Sequence, residues 1–148
     1  MMLSVRDREC LPIVQGGMGV GVSAHRLAGS VAREGGVGTL SSVDLRRHHP
    51  DLMKATAGVR ERAVIDRANL VALDREVRQA KALAGGRGLV AVNVMRAVSE
   101  YASYVKQSCA SGADAIVVGA GLAMDLPELV VEWPHLALVP IVSEGRAL

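Results

Sequence analysis

Short apolar runs alternate with amphipathic runs along almost the whole chain. Residues 12–17 read as a first strand that runs into glycine. Ser23 is placed to cap a helix over 24–34, with Leu27, Ala28 and Val31 on one face. Gly35-Gly36 ends that helix, as glycine does past a helix C-terminus, and 37–41 read as a second strand. A polar connection over 43–66 exceeds an ordinary βα loop, so it is either functional or partly helical. A strong helix is expected over 69–84, where Leu70, Leu73, Val77, Ala80 and Ala84 recur at helical spacing. Residues 89–95 form a continuous apolar run, the mark of a strand buried on both faces. A helix over 99–111, a strand over 114–118, a short helix over 125–132 and a strand over 138–142 complete the series. That last strand runs into Ser143-Glu144-Gly145. Five strands in strict alternation with helices imply a parallel sheet with right-handed crossovers, either an open doubly wound sheet or a barrel.

Composition narrows this picture. Hydrophobic residues make up 50% of the chain and aromatics only 2%, so the core must be aliphatic. The formal net charge is +2, with no basic stripe interleaved with aromatics, which argues against nucleic acid as a partner. The arginines of 60–87 are interspersed with Glu61, Asp66, Asp74 and Glu76 and read as a solvated helix face. Cys10 and Cys109 belong to no Cys-x-x-Cys pattern, which fits a reducing compartment. Residues 1–10 carry Arg6, Asp7, Arg8 and Glu9 where a signal peptide needs an apolar core. No apolar run reaches membrane-spanning length. A cytoplasmic protein with no membrane partner is expected.

The chemistry is concentrated in glycine clusters at strand ends. Gly16-Gly17-Met18-Gly19 follows the first strand, and Gly119-Ala120-Gly121 follows the fourth. Neither completes a dinucleotide fingerprint, because Val22 and Met124 occupy the third glycine positions. Each can be a tight βα turn with no ligand. Several such turns at strand C-terminal ends favour a ligand, because α/β folds bind ligands at that edge. Asn93 interrupts the buried run of the third strand; its amide is either satisfied internally or aimed at a heterocycle. His48 and His49 read as surface residues of a polar loop, His25 as an exposed first-turn residue, and His135 as lying at the opposite edge. Ser143 follows the last strand on the ligand edge but has no base near it in sequence, so nothing supports it as a nucleophile. No set of residues has metal-ligand spacing, and no catalytic residue is assigned.

Five segments in order carry a family likeness: Pro-Ile-Val-Gln-Gly-Gly-Met-Gly-Val-Gly at 12–21, Leu-Ala-Gly-Ser-Val-Ala-Arg-Glu-Gly-Gly-Val-Gly at 27–38, Ala-Val-Asn-Val-Met at 91–95, Gly-Ala-Asp-Ala-Ile-Val-Val-Gly-Ala-Gly-Leu at 112–122, and Val-Pro-Ile-Val-Ser at 139–143. From about Leu11 onward the chain resembles the nitronate monooxygenase (2-nitropropane dioxygenase-like) family of FMN-dependent TIM barrels. It is also similar to the FMN-dependent enoyl-acyl-carrier-protein reductases, from which strand-end residues cannot separate it. The resemblance implies a partial (β/α)8 barrel of about five parallel strands with outer helices. It implies FMN at the C-terminal face, with Gly17 and Met18 against the ring, Asn93 within hydrogen-bonding reach, and Gly119, Gly121 and Ser143 around the same pocket. Alkyl nitronate and O2 would be the substrates.

The family's Gly-Gly-His segment and its late phosphate-binding glycine loops have no counterpart here, and residues 1–10 match family openings poorly. The chain is therefore read as the N-terminal portion of such a barrel, inactive alone and a weak binder of FMN or none. A half-barrel that pairs with a partner chain is the non-catalytic alternative. Exposed barrel edges are expected to promote self-association.

Overall fold

The computed structural model describes residues 2–143; Glu144 and Gly145, the end of the last expected turn, lie outside them. The elements in order are β1 (Leu3–Val5), β2 (Arg8–Cys10), α1 (His25–Arg33), β3 (Val37–Ser41), a 3-10 turn (Leu45–His48), α2 (Pro50–Ala55), α3 (Arg62–Ala84), β4 (Leu89–Met95), α4 (Tyr101–Ala110), β5 (Ala115–Gly119), α5 (Leu126–Leu129) and β6 (Ala137–Pro140). β3, β4, β5 and β6 form one parallel sheet in sequential order. The sequence pattern anticipates this mixed α/β architecture, and the sequential order leaves no reversal of the kind a doubly wound sheet has at its centre.

The expected first strand is a correction. Residues 12–17 touch the sheet through a single parallel bridge, Val14 to Val37. Two backbone bonds hold it: Val37 N–H donates to Ile13 O at 2.9 Å and Gln15 N–H to Val37 O at 2.9 Å. Pro12 has no N–H to donate, and the Ile13 N–H turns back to Leu11 O at 2.7 Å. A strand cannot run on from such a start.

Residues 1–10, to which the sequence pattern assigned no element, contain the antiparallel hairpin of β1 and β2. Its Arg8 donates to Asp114 Oδ1 at 2.9 Å and to Gly88 O at 2.8 Å. Asp114 also receives Lys81 Nζ at 2.7 Å and the Val90 N–H at 2.8 Å. One carboxylate thus ties the hairpin, α3 and the start of β4 together at the N-terminal rim of the sheet.

Alternation along the strands sorts the side chains onto two faces. Leu40, Val90, Val92, Val94, Ile116 and Val118 pack with Ala28, Leu73, Val77 and Val105 of the helices. Val37, Leu89, Ala91, Ala115 and Ala137 face the other way and pack with Cys10 of the hairpin. The helices therefore lie on one face, and the hairpin covers the N-terminal half of the other. The C-terminal half is open, where Met95, Val139 and Ile141 are exposed. β4 is thus buried on both faces only up to Val92, a correction to its uniformly buried reading. Gly38 sets the closest layer contact: a Cβ there would stand 1.8 Å from Ala28 O, so the α1 backbone rests directly on β3.

Among the described residues, no helix is long and apolar enough to cross a membrane.

Candidate functional site

The loop between residues 15 and 24 is held by two polar side chains. Gln15 ends the short bridge to β3, and its side chain takes over the pairing. Oε1 accepts the Thr39 N–H at 3.0 Å, and Nε2 donates to Thr39 O at 3.1 Å. A side-chain amide has the same donor and acceptor as a peptide unit, so it continues the ladder where the backbone leaves it. Nε2 also reaches Ser23 Oγ at 3.0 Å and the Gly16 carbonyl.

Ser23, 1% exposed, closes the loop on itself. Its Oγ accepts the Met18 N–H at 2.9 Å and donates to Gly16 O at 3.2 Å, while its own N–H donates to Met18 O at 3.0 Å. Ser23 was expected to cap α1. It caps the glycine loop instead, and α1 has no side-chain cap of its own.

The missing cap comes from α3. Glu76 Oε2 accepts the His25 N–H at 2.7 Å and lies 2.8 Å from His25 Nδ1, while Oε1 lies 3.1 Å from His49 Nε2. A carboxylate at a helix N-terminus meets unpaired N–H groups and the positive end of the helix dipole. This overturns three sequence expectations. Glu76 is 1% exposed rather than on a solvated face, the His49 side chain is 11% exposed rather than on the surface, and His25 is half-buried. The signal was present: Glu76 is three residues after Leu73 and four before Ala80, on the buried face of α3. His48 is exposed as expected and lines an open cavity of ≈ 450 Å³ with His25 and His49. The two imidazoles meet different oxygens of Glu76. Among the described residues, no group of three or more His, Cys, Asp or Glu can hold a metal ion.

Of the six residues singled out for a ligand, two meet directly. Asn93 projects from β4 on the helix-free face, and its Nδ2 donates to Gly17 O at 3.1 Å. A Cβ on Gly17 would stand 2.6 Å from the Asn93 Cβ and 3.0 Å from Leu40 O, so only glycine admits the loop this close. Met18 follows, 62% exposed at the lip of the open face. Gly119 ends β5 opposite Met95 and packs under Ile141. Gly121 lies beyond it at φ +138°, and Ser143 is exposed past β6. All six belong to the C-terminal edge of the sheet, but only the Gly17–Asn93 pair shares a hydrogen bond. Gln15, which sequence reasoning passed over, and Ser23, which it read as a helix cap, are what fix the loop.

Neither cysteine is poised for reaction. Burial pushes the Cys109 thiol up to about 11, and burial also raises Cys10 against the nearby Arg8 charge.

No protein-family model matches the chain, and no curated protein matches it.

Proposed function

We propose that this chain forms part of the wall of a (β/α)8 barrel and that its glycine-rich rim belongs to an FMN-dependent oxidoreductase of nitronate monooxygenase type. The observation that supports this best is the Gly17–Asn93 pair. A side-chain amide stands at the C-terminal end of a parallel strand, beside backbone that carries no Cβ. That is the edge where parallel sheets place ligands.

The residues present fit a flat heterocycle. Asn93 donates through Nδ2 to Gly17 O, and its Oδ1 receives no hydrogen bond among the described residues. Oδ1 can therefore accept a ring N–H. Gly17 would lie against the ring plane, and Met18 would cover it. When bound, FMN would supply the electron transfer from nitronate to oxygen. The chain's own residues position the ring and hold the loop that borders it: Asn93 orients, Gln15 and Ser23 lock, and the missing Cβ of Gly17 makes room.

The reading also explains the open half of the helix-free face. Further strands would cover Met95, Val139 and Ile141 in a closed barrel. Much of FMN affinity comes from N–H groups around its phosphate. The family's loops for that task have no counterpart in the sequence, so the chain is expected to bind FMN weakly and not to oxidise alkyl nitronates alone.

Flavin fluorescence quenching beside size-exclusion chromatography tests this. Weak, saturable quenching that Asn93→Leu abolishes is the expected result. Quenching indifferent to Asn93→Leu, or none at all, would overturn the flavin reading. Tight stoichiometric binding by a monomer would overturn the partial-barrel reading.

A further inference from the structure

We propose that Ser41 stands beside Asn93 as a second recognition group of the rim, and that the two together read the imide edge of a flat heterocycle, a ring N–H next to a ring carbonyl. The role of Ser41 rests on the flavin reading for the identity of the ring. Ser41 and Asn93 are register partners in β3 and β4. Parallel strands carry such partners on one face, about 4.8 Å apart. That face is the helix-free one, because Val37 and Ala91, of the same alternation, pack with the hairpin. The glycine loop lies over both residues. A Cβ on Gly17 would stand 2.6 Å from Asn93 Cβ, and a Cβ on Gly19 would stand 3.0 Å from Ser41 Oγ. Alternate loop positions thus lack side chains directly above the amide and the hydroxyl, while Met18 between them is exposed.

Both groups are short of partners. Asn93 spends its Nδ2 on Gly17 O, and nothing among the described residues donates to its Oδ1. Ser41 is 5% exposed. Its Oγ makes no hydrogen bond among the described residues, yet it is not sealed from solvent. The next hydroxyl, Ser42, is also unpartnered but fully buried, so it can meet no ligand. A polar side chain this deep without a partner is uncommon in a folded protein and calls for an explanation.

The chemistry of the pair is specific. An acceptor beside a hydroxyl complements a donor beside an acceptor. The imide edges of a flavin ring and of uracil both present that combination. The ring N–H would donate to Asn93 Oδ1, and Ser41 Oγ would donate to the adjacent carbonyl. The strand positions of this half of the face, among them Thr39, Met95, Val117 and Val139, are uncharged, which suits a neutral ring edge.

Labelled protein is titrated with FMN, with uridine and with the N3-methylated form of each, following the ¹⁵N resonances of Asn93 Nδ2 and of the Gly17 and Gly19 amides. FMN is expected to bind weakly. N3-methylation is expected to lower its affinity by about tenfold or more, because the methyl group removes the donated proton and leaves Oδ1 unpaired. Ser41→Ala is expected to weaken FMN binding about three- to tenfold, the worth of one neutral hydrogen bond. The methylated ligands probe the wild-type protein, so the test does not hang on how a variant folds. Binding of FMN that Asn93→Leu abolishes, but that neither methylation nor Ser41→Ala changes, would overturn the imide site and leave the flavin reading standing. Sensitivity to methylation alone would remove the part given to Ser41. Uridine binding with both sensitivities, and no response to FMN, would keep the imide site and sink the flavin reading. No saturable shift with either ligand would sink both.

Discussion

Gln15 shows how much a single side chain can carry. It satisfies both backbone polar groups of Thr39, a residue 2% exposed, and braces the loop carbonyl at Gly16. In Gln15→Leu those groups are stranded away from water, and stability is expected to fall by about 1–3 kcal/mol in urea titrations. Gly17→Ala tests the close approach to Asn93. Its Cβ must displace Asn93 or Leu40 O, and such overpacking costs about 1–3 kcal/mol. Neither role could be read from the sequence. Gln15 and Thr39 are 24 positions apart, and nothing local in an apolar run ending in glutamine says that its amide will complete a ladder. The importance of Gly17 and Asn93 was legible, because both break the rule for a buried strand. Their mutual contact was not.

The elements were legible where periodicity was long and failed where tertiary partners replace local signals. α3 was anticipated from its apolar spacing, although it begins earlier, at Arg62, inside what reads as polar connection. α1 was anticipated with the wrong cap, because the serine that should cap it turns to the glycine loop and a carboxylate 51 positions away arrives instead. Glu76→Ala would leave the His25 N–H without its acceptor and remove the charge from the helix start. A loss of about 1.5–3 kcal/mol is expected, the range for hydrogen bonds to charged groups. Hydrogen exchange should rise first at the amides of residues 25–27. Unchanged exchange there would mean that water replaces the cap without cost.

At the scale of the whole molecule, the buried titratable groups set a response to alkaline pH. Cys109 is raised to about 11 by burial, and Tyr104 to about 12 by burial and then by the charge of Glu100. Both groups are neutral in the fold. The unfolded thiol loses its proton near its ordinary value of 9.0, while the folded one keeps it until about 11. Stability from Cys109 is therefore complete below pH 9.0 and falls as pH rises through that window. Urea midpoints should decline from there, and Cys109→Ala should flatten the first part of the decline. The open C-terminal half of the helix-free face predicts a second property, concentration-dependent association. Ile141→Lys, which places a charge on that exposed apolar surface, should shift sedimentation toward the monomer. The parallel, sequential sheet behind both properties was legible in the strand–helix alternation. The N-terminal hairpin was not, because three-residue strands are too short to show a period.

The abrupt end of the first bridge has a consequence for stoichiometry. A sheet with two open edges can add copies of itself without limit, and fibres are the result. Here one edge is closed off by Pro12, the turn at Leu11–Ile13 and the Gln15 amide. In the parallel sheet, the edge left unpaired among the described strands is that of β6. When two such edges meet, each consumes the other and growth stops. Raising the protein concentration should therefore fill a population of pairs, with light scattering that reaches a plateau instead of climbing.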